Sequence, residues 1–313
     1  MNDGDGNMPI GGPGELTLRT ARSGGAIANS VRELVGSPAG SSRLVLFIHG
    51  YATDQDKACE SYSRMWDRLR RAGIRSSILN SVFWVYWPGD LSIPGVSQAS
   101  YAGQVRKAID SAAKLAKYLL EIQSSVSKPI ELTIVAHSLG SRLTLELISD
   151  LQVTPLQRAP HVAALALMAA AVPVEHTHGD GARLPRLATT GREVVLYSLR
   201  DKVLRWGFPT GQSKATLIGN DTGWFPEAVG RRGAPTSRWS QRVWTDYSHG
   251  EYWKGNFSAE KIAGLLGKTT EQRLAEGPTE DVALAESSLP EQSLRSFDTE
   301  NLCYRQGSVS YLW

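Results

Sequence analysis

The chain has 313 residues, of which 41% are hydrophobic, and a formal net charge of +3 at pH 7. This length and apolar content suffice for one large α/β domain with a sizeable core, or for two small domains. Because the charge is nearly balanced and lysines and arginines form no dense run, we expect no nucleic-acid partner.

No stretch of the sequence approaches the ~20 consecutive apolar residues that are needed to cross a bilayer. Residues 1–15 are acidic and rich in glycine, and they lack the apolar centre of a secretory signal peptide. The two cysteines have no spacing typical of metal or redox sites. We therefore expect a cytoplasmic protein without a membrane-spanning segment.

The first third of the chain begins without regular structure. Residues 1–15 are expected to be disordered because they are glycine-rich and have no apolar periodicity. Residues 16–35 give a weak signal, which fits a short strand and one or two helical turns. The sequence RLVLFI at 43–48 indicates a buried strand. Residues 56–71 have apolar side chains on one helical face, and Gly73 just beyond them is a typical stop signal.

The rest of the chain alternates between strand and helix patterns. Strands are predicted at 82–87, 130–135, 162–170, 193–199 and 242–245, and helices at 100–122 and 257–266. Such alternation implies an α/β fold with a mostly parallel sheet and helices on both of its faces. We predict one domain over residues 16–266 and an extended or partly disordered tail over 267–313. In such a sheet, ligands bind beyond the carboxyl ends of the strands.

Residues 136–140, AHSLG, lie between a predicted strand and a helical pattern. A small residue two before a serine and a glycine two after it are what a sharp strand-to-helix turn requires, because larger side chains would collide there. Ala136 stands where glycine is usual. Ser138 would project its hydroxyl from this turn, near the helix N-terminus, as a nucleophile. A helix N-cap is the alternative role for this serine.

A nucleophilic serine needs a histidine to accept its proton and a carboxylate to orient that histidine. His249 lies in a loop between the last predicted strand and the closing helix, where the chain order of such sites predicts the base. Its alternative role is that of a surface-loop histidine. His161 begins a strand, at the wrong edge of the sheet. His176 and His178 follow a strand, and together with Asp180 they are a weak candidate for a metal site.

Asp201 is the first candidate for the carboxylate, because it follows a predicted strand and lies between the serine and the histidine in the chain. Its alternative role is the N-cap of a short helix that starts after it. Asp246, beside the histidine loop, is a reserve candidate, and Asp221 is a more distant one.

An acyl-transfer site also needs two N–H donors where the oxyanion develops. The N–H of Leu139 follows the serine at the start of the helix. We expect the second donor from the loop after the strand at 43–48, where Gly50 lets the backbone approach closely and Tyr51 supplies the N–H. His49 is expected to brace this loop and not to act as a base.

With these motifs in this order, the chain resembles the α/β hydrolases, and more closely a bacterial branch of unknown function. The segments that carry the resemblance are FIHGY at 47–51, YWPG at 86–89, AHSLG at 136–140 and the Ser-x-x-Asp-x-x-Leu turn at 198–204. The resemblance covers residues 43–266 and implies the α/β-hydrolase fold.

The resemblance also implies that Ser138 is the nucleophile, Asp201 the acid and His249 the base. Together with the residue patterns, it indicates a serine hydrolase that cleaves an ester or thioester through an acyl-enzyme. We expect a small-molecule acyl substrate and neither a metal nor an organic cofactor. His137, which precedes the nucleophile, is expected to support the site.

Aromatic residues around the predicted site allow two interpretations. They are Trp84, Tyr86, Trp87, Trp224, Phe225, Trp239 and Trp244. Packing in the core and loops is the simpler interpretation, and an apolar acyl pocket or a cap is the functional one. Arg231, Arg232 and Arg238 are either solvated or bind an anionic group. The competing function is a non-catalytic binding protein on an α/β-hydrolase scaffold, because a fold alone does not determine an activity.

Overall fold

Short apolar segments of the chain form one sheet. The computed structural model describes residues 12–90, 97–154, 158–177, 192–233 and 241–267. The strands of these described residues are β1 (Gly14–Arg19), β2 (Ile27–Val35), β3 (Arg43–Ile48), β4 (Val82–Tyr86), β5 (Glu131–His137), β6 (His161–Met168), β7 (Glu193–Tyr197) and β8 (Gln241–Trp244). They lie in the order β2-β1-β4-β3-β5-β6-β7-β8.

Neighbouring strands of this sheet pair in parallel, except for the antiparallel pair β1 and β2. The central strands β3, β5 and β6 are apolar and almost entirely buried. This burial is expected for parallel strands, because helices cover both faces of the sheet that they form. The predicted fold class, an α/β fold with a mostly parallel sheet, is confirmed.

The prediction of helical turns within residues 16–35 is wrong, because β1 and β2 take up most of this segment. β1 is buried between β2 and β4, and Leu16 and Leu18 are fully buried. β2 lies at the edge of the sheet and exposes most of its residues. Because β2 buries few of its side chains, its sequence shows little alternation of apolar and polar residues, which explains why the pattern was weak here.

Helices cover the sheet in two groups. They are α1 (Gln55–Arg71), α2 (Ser76–Leu79), α3 (Ser97–Ser124), α4 (Leu139–Gln152), α5 (Phe208–Leu217), α6 (Val229–Arg232) and α7 (Asn256–Gly267). α3 packs against α4 and α5, and α1 packs against α7. The side chain of Asp54 caps α1 by accepting a hydrogen bond from the Lys57 N–H. A π-helical turn, Val203–Gly207, leads into α5.

The carboxyl ends of the central strands meet at one edge of the sheet. β5 lies between β3 and β6, and Ile48 at the end of β3 is opposite Ala136 of β5. Ser138 comes directly after β5, Asp201 follows β7, and the loop that contains His249 follows β8. The topology therefore gathers the segments that the sequence assigned to the site.

The two ends of the chain lie mostly outside the described residues. β1 begins at Gly14, within the segment 1–15 that was expected to be disordered, and α7 ends at Gly267. The predicted domain boundaries stay predictions. Among the described residues, no helix combines the length and the apolar character that crossing a membrane requires.

Candidate active site

The turn between β5 and α4 holds Ser138 in an unusual backbone conformation. Its φ is 52° and its ψ is −124°, a region that non-glycine residues rarely adopt. The backbone N–H of Ser138 donates a hydrogen bond to the carbonyl of Met168, over 2.9 Å. Strain of this kind costs about 1–3 kcal/mol and persists only where the surrounding structure holds it.

One glycine after Ser138 and one in the loop after β3 allow these two backbone segments to approach closely. A Cβ on Gly140 would lie 2.3 Å from the carbonyl oxygen of His49, and a Cβ on Gly50 would lie 2.8 Å from the Cβ of Ser138. Both distances are too short for real contacts. The two positions therefore require glycine, and the loop after β3 lies directly against the turn that carries the serine.

A chain of hydrogen bonds joins Ser138, His249 and Asp201. The Oγ of Ser138 is 2.8 Å from Nε2 of His249, and Nδ1 of His249 is 2.7 Å from Oδ2 of Asp201. Because an ionised carboxylate can only accept hydrogen bonds, Nδ1 carries the ring proton and Nε2 is left to accept from the serine hydroxyl. This is the arrangement in which a histidine can withdraw a proton from a serine.

The carboxylate of Asp201 is fully buried and uses both of its oxygens. Oδ2 binds His249, and Oδ1 accepts a hydrogen bond of 2.9 Å from the backbone N–H of Leu204. The second bond is the helix-cap role that the sequence left open for this residue. Both roles are therefore present at once, one on each oxygen.

His137 supports the loop that carries His249. Its Nε2 is 2.7 Å from the backbone carbonyl of His249, and the two rings lie 5.0 Å apart between centroids. Burial, together with the neighbouring His249, lowers the pKa of His137 to about 3. The ring is therefore neutral at pH 7, and its Nε2–H donates to the carbonyl.

The loop after β3 is held by His49 and Trp87. The backbone N–H of Trp87 donates to Nε2 of His49 over 3.3 Å, and the Trp87 indole N–H donates to the His49 carbonyl over 2.8 Å. Burial lowers the pKa of His49 to about 4, so this ring is neutral too. Since Nε2 accepts, Nδ1 carries the proton and donates to the carbonyl of Gly50 over 2.9 Å.

This bracing fixes the direction of the next N–H. The peptide bond is planar and trans, so the Gly50 carbonyl and the Tyr51 N–H point to opposite sides of it. His49 therefore sets the orientation of the Tyr51 N–H by binding the carbonyl. The N–H of Leu139 is the first of α4, and helices leave their first N–H groups without a partner in the helix.

The other candidates from the sequence lie in different surroundings. Asp246 is exposed and forms an ion pair with Arg200, with 3.4 Å between Nε and Oδ1. Asp221 is buried and forms an ion pair with Arg142. His161 is exposed at the amino end of β6. None of the three candidates takes part in the hydrogen-bond chain from the serine.

The weak metal candidate gains no support within the described residues. His176 lies in a short 3₁₀ helix, where Arg142 donates to its Nδ1 over 3.1 Å and its Nε2 is 3.0 Å from Oγ1 of Thr222. His178 and Asp180 lie outside the described residues. The part of the chain that the structure describes contains no cluster of ligands suited to a metal ion.

The aromatic residues divide between the core and the surface. Trp84, Tyr86 and Trp87 are almost fully buried, which matches the core interpretation. Trp224, Phe225 and Trp244 are exposed, and Trp239 lies outside the described residues.

The arginines that were considered for anion binding have internal partners where they are described. Arg231 and Arg232 both contact the carboxylate of Glu227. Arg238 lies outside the described residues. An anion site made of these arginines therefore gains no support.

Two features that sequence reasoning missed hold the site together. The indole N–H of Trp87 binds the His49 carbonyl and thereby stabilises the loop after β3. Arg142, four residues after the serine, is buried and binds Asp221 and Glu146. A lone arginine among the leucines of α4 is the sequence signal that could have indicated a buried ion pair.

A family model matches residues 29–209, more than half of the chain, and its description is "Alpha/beta hydrolase of unknown function (DUF900)". The chain belongs to this family of α/β hydrolases. Among curated proteins, no sequence matches it significantly. The family membership agrees with the fold and assigns the chain to the hydrolases, without a substrate.

Several solved structures are similar to the chain at low sequence identity. Carboxyl esterase 2 from the fungus Tuber melanosporum has 14% identity and a TM-score of 0.34, with 71% of this chain and 78% of that chain covered. A hormone-sensitive lipase from a metagenome library has 12% identity and a TM-score of 0.39, with coverages of 83% and 87%. The thioesterase RedJ from Streptomyces coelicolor has 14% identity and a TM-score of 0.33, with coverages of 74% and 91%. Likenesses at this level carry no argument about chemistry.

Proposed function

We propose that the protein is a serine hydrolase that cleaves a carboxylic ester or thioester through an acyl-enzyme. The observation that carries this proposal is the hydrogen-bond chain from Ser138 through His249 to Asp201, with distances of 2.8 and 2.7 Å. The strained turn at Ser138 and the braced loop after β3 support it, because acyl transfer needs an accessible nucleophile and fixed oxyanion donors.

In the first half of the reaction, the Oγ of Ser138 attacks the acyl carbonyl carbon while Nε2 of His249 takes the hydroxyl proton. The Asp201 carboxylate stabilises the imidazolium that forms. The N–H groups of Tyr51 and Leu139 donate to the oxyanion of the tetrahedral intermediate. The intermediate collapses when His249 returns the proton to the alcohol or thiol that leaves, and the acyl group remains on the serine.

In the second half, water attacks the acyl-enzyme. His249 accepts a proton from the water, and the acid leaves when the proton returns to Oγ of Ser138. The side chains of Ser138, His249 and Asp201 and the two N–H donors suffice for both halves of the reaction. Removing one donor of such an oxyanion site costs about 10²–10³ in turnover.

A fluorophosphonate probe tests the proposal directly, because it labels serines that a neighbouring base activates and leaves ordinary serines unlabelled. We expect covalent labelling at Ser138 and turnover of nitrophenyl esters. Both should disappear in the Ser138→Ala and His249→Ala variants. Ser141→Ala is the matched control, since this hydroxyl lies three residues further along α4 and makes no hydrogen bond within the described residues.

Two results would contradict the proposal. One is full esterase activity in Ser138→Ala. The other is a folded wild-type protein that neither takes up the probe nor hydrolyses a panel of oxygen esters and thioesters of increasing acyl length. The second result would favour a binding protein on a hydrolase scaffold.

A further inference from the structure

The segment that follows Asp201 exposes a group of large apolar side chains. Each of them has between 51% and 72% of its surface exposed. They are Val203, Trp206, Leu217, Ile218, Trp224 and Phe225. Single exposed apolar residues are common on proteins, but several large ones close together indicate an interaction surface. We call these six side chains the α5 surface.

Hydrogen bonds attach the loop of Trp224 and Phe225 to α5. Oγ1 of Thr216 donates to the carbonyl of Gly223 over 2.8 Å, and the N–H of Phe225 donates to Oγ of Ser213 over 2.7 Å. The loop that carries the two aromatic residues therefore lies along the C-terminal half of α5. Trp206 lies in the π-helical turn before α5 and Leu217 is the last residue of α5, so both ends of this segment expose a large apolar side chain.

Trp224 and Phe225 are exposed on a loop whose backbone conformation is fixed by hydrogen bonds. Phe225 has a φ of 45°, a conformation that is unfavourable for a residue with a side chain. The buried side chain of Gln212 donates to the Thr222 carbonyl over 3.0 Å and to the Asp221 carboxylate over 2.7 Å. Internal hydrogen bonds thus maintain a backbone that leaves Trp224 and Phe225 in solvent.

The charges on the same segment are all positive. Lys202, Arg205 and Lys214 are exposed, and the guanidinium of Arg205 lies 4.7 Å from the ring centroid of Trp206. No acidic residue occurs between positions 202 and 220. The acidic residues at the two ends, Asp201 and Asp221, are buried and bind internal partners.

Two acidic side chains adjoin the surface from neighbouring segments. Glu175 lies next to Gly223, and Glu227 forms an ion pair with Arg232. Neither of them belongs to the segment that carries the basic residues, and this segment has no acidic residue between positions 202 and 220. The surface therefore combines exposed aromatic and aliphatic groups with a positive charge.

We propose that the α5 surface docks on a bilayer that contains anionic lipids. Segments that bind at a membrane interface expose Trp, Phe and Leu together with Lys and Arg that reach the lipid phosphates. The turn before α5, the end of α5 and the loop after it expose these same types of residue. Long basic side chains can cover the apolar boundary while their charged ends contact headgroups. The surface begins directly after Asp201, so docking brings the bilayer beside the hydrogen-bond chain of the candidate site.

Co-sedimentation of the full chain with vesicles tests the proposal. We expect binding to vesicles of phosphatidylcholine mixed with phosphatidylglycerol, weaker binding to pure phosphatidylcholine, and weakening by salt. The triple variant Trp206→Ser, Leu217→Ser, Phe225→Ser is expected to have a vesicle partition coefficient at least about tenfold lower, because these side chains supply apolar area that the bilayer would bury. Val153→Ser, which removes an exposed apolar side chain from the far end of α4, is the control.

A second set of variants tests the charge. Lys202→Gln, Arg205→Gln and Lys214→Gln together are expected to reduce binding to the mixed vesicles roughly 100-fold, since each basic residue contributes about fivefold. The matched control replaces the exposed Arg71, Arg75 and Lys128 with glutamine and is expected to bind like wild type. Thermal unfolding of every variant verifies that it is folded.

The proposal fails if the wild-type protein does not bind the mixed vesicles, or if the α5 variants bind as well as the wild type. It also fails if the surface mediates association between protein molecules. In that case, the wild-type protein would not bind vesicles. Sedimentation velocity would instead show self-association that the triple serine variant abolishes. The Ser138→Ala protein should bind vesicles like wild type, so this test is independent of the proposed catalysis.

Discussion

Gly140 is the residue at which the helix that follows Ser138 meets the loop that carries Tyr51. A Cβ at this position would lie 2.3 Å from the His49 carbonyl oxygen and 2.8 Å from the Ile48 carbonyl oxygen. Both contacts are with backbone atoms of β3 and its loop, which are less able than a flexible side chain to move away. The spacing of the AHSLG motif is thus a packing requirement as much as a turn requirement.

We expect Gly140→Ala to lower the free energy of unfolding by about 1–3 kcal/mol, as overpacking of a close contact does. Esterase activity should fall more steeply, because the displaced loop carries the Tyr51 N–H. Gly103→Ala is the control: the Cβ would meet nothing within 4 Å, and this exposed site lies inside α3. Alanine there should raise the free energy of unfolding by about 0.5–1 kcal/mol. Equal behaviour of the two variants in urea unfolding would contradict the packing argument.

Among the elements, α4 is joined to the segment around α5 by a buried ion pair. The guanidinium of Arg142 contacts both oxygens of Asp221, and its Nε donates to Glu146 over 2.9 Å. Although burial opposes it, the positive charge of Arg142 and hydrogen bonds from Arg142 and Gln212 hold the pKa of Asp221 below its usual value. The pair therefore fixes the segment of the α5 surface to α4, the helix that follows Ser138.

Removing one partner of this pair leaves the other charge buried. We expect Asp221→Asn to lower the free energy of unfolding by about 1–3 kcal/mol, measured by urea denaturation, because Arg142 keeps Glu146 as a partner. The double variant Arg142→Met, Asp221→Leu removes both charges and should be the more stable of the two. If the single and double variants lose the same stability, the pair contributes through its shape and not through its charge.

For the whole molecule, two buried histidines contribute to the loss of stability in acid. The pKa values of His49 and His137 are lowered to about 4 and about 3, mainly by burial, whereas an unfolded chain has about 6.5. As the pH falls below about 6.5, the unfolded chain therefore binds protons that the folded chain does not. The stability that depends on these neutral histidines is fully present above this pH and is lost as the pH falls toward the folded pKa values.

We expect the free energy of unfolding to decrease by about 1.4 kcal/mol per pH unit for each of these histidines between about pH 6 and pH 4. In His137→Gln, the slope should be smaller by the contribution of one histidine, whatever the substitution does to stability at pH 7. The wild-type protein, measured in parallel, gives the reference slope. Urea unfolding at a series of pH values measures both, and an unaltered slope in His137→Gln would contradict the prediction.

The amino-acid sequence by itself determined the class of fold and the order of the site. Apolar strands such as RLVLFI and the small residues around Ser138 are local features, because periodicity and turn geometry depend on neighbouring residues. The alternation of strands and helices then fixes which strand ends share an edge. These two steps were enough to predict Ser138, Asp201 and His249 as one group.

The tertiary structure alone decided between residues that look alike in sequence. Asp201 and His249 are 48 positions apart, and Ser138 and His249 are 111 apart. Chain order ranked Asp201 above Asp246, but only the folded geometry shows that Asp201 hydrogen-bonds His249 while Asp246 pairs with Arg200. The same holds for Trp84, which is buried, and Trp224, which is exposed. The physical reason is that burial, ion pairing and hydrogen-bond direction depend on distant segments, and local patterns contain no information about side-chain orientation across such distances.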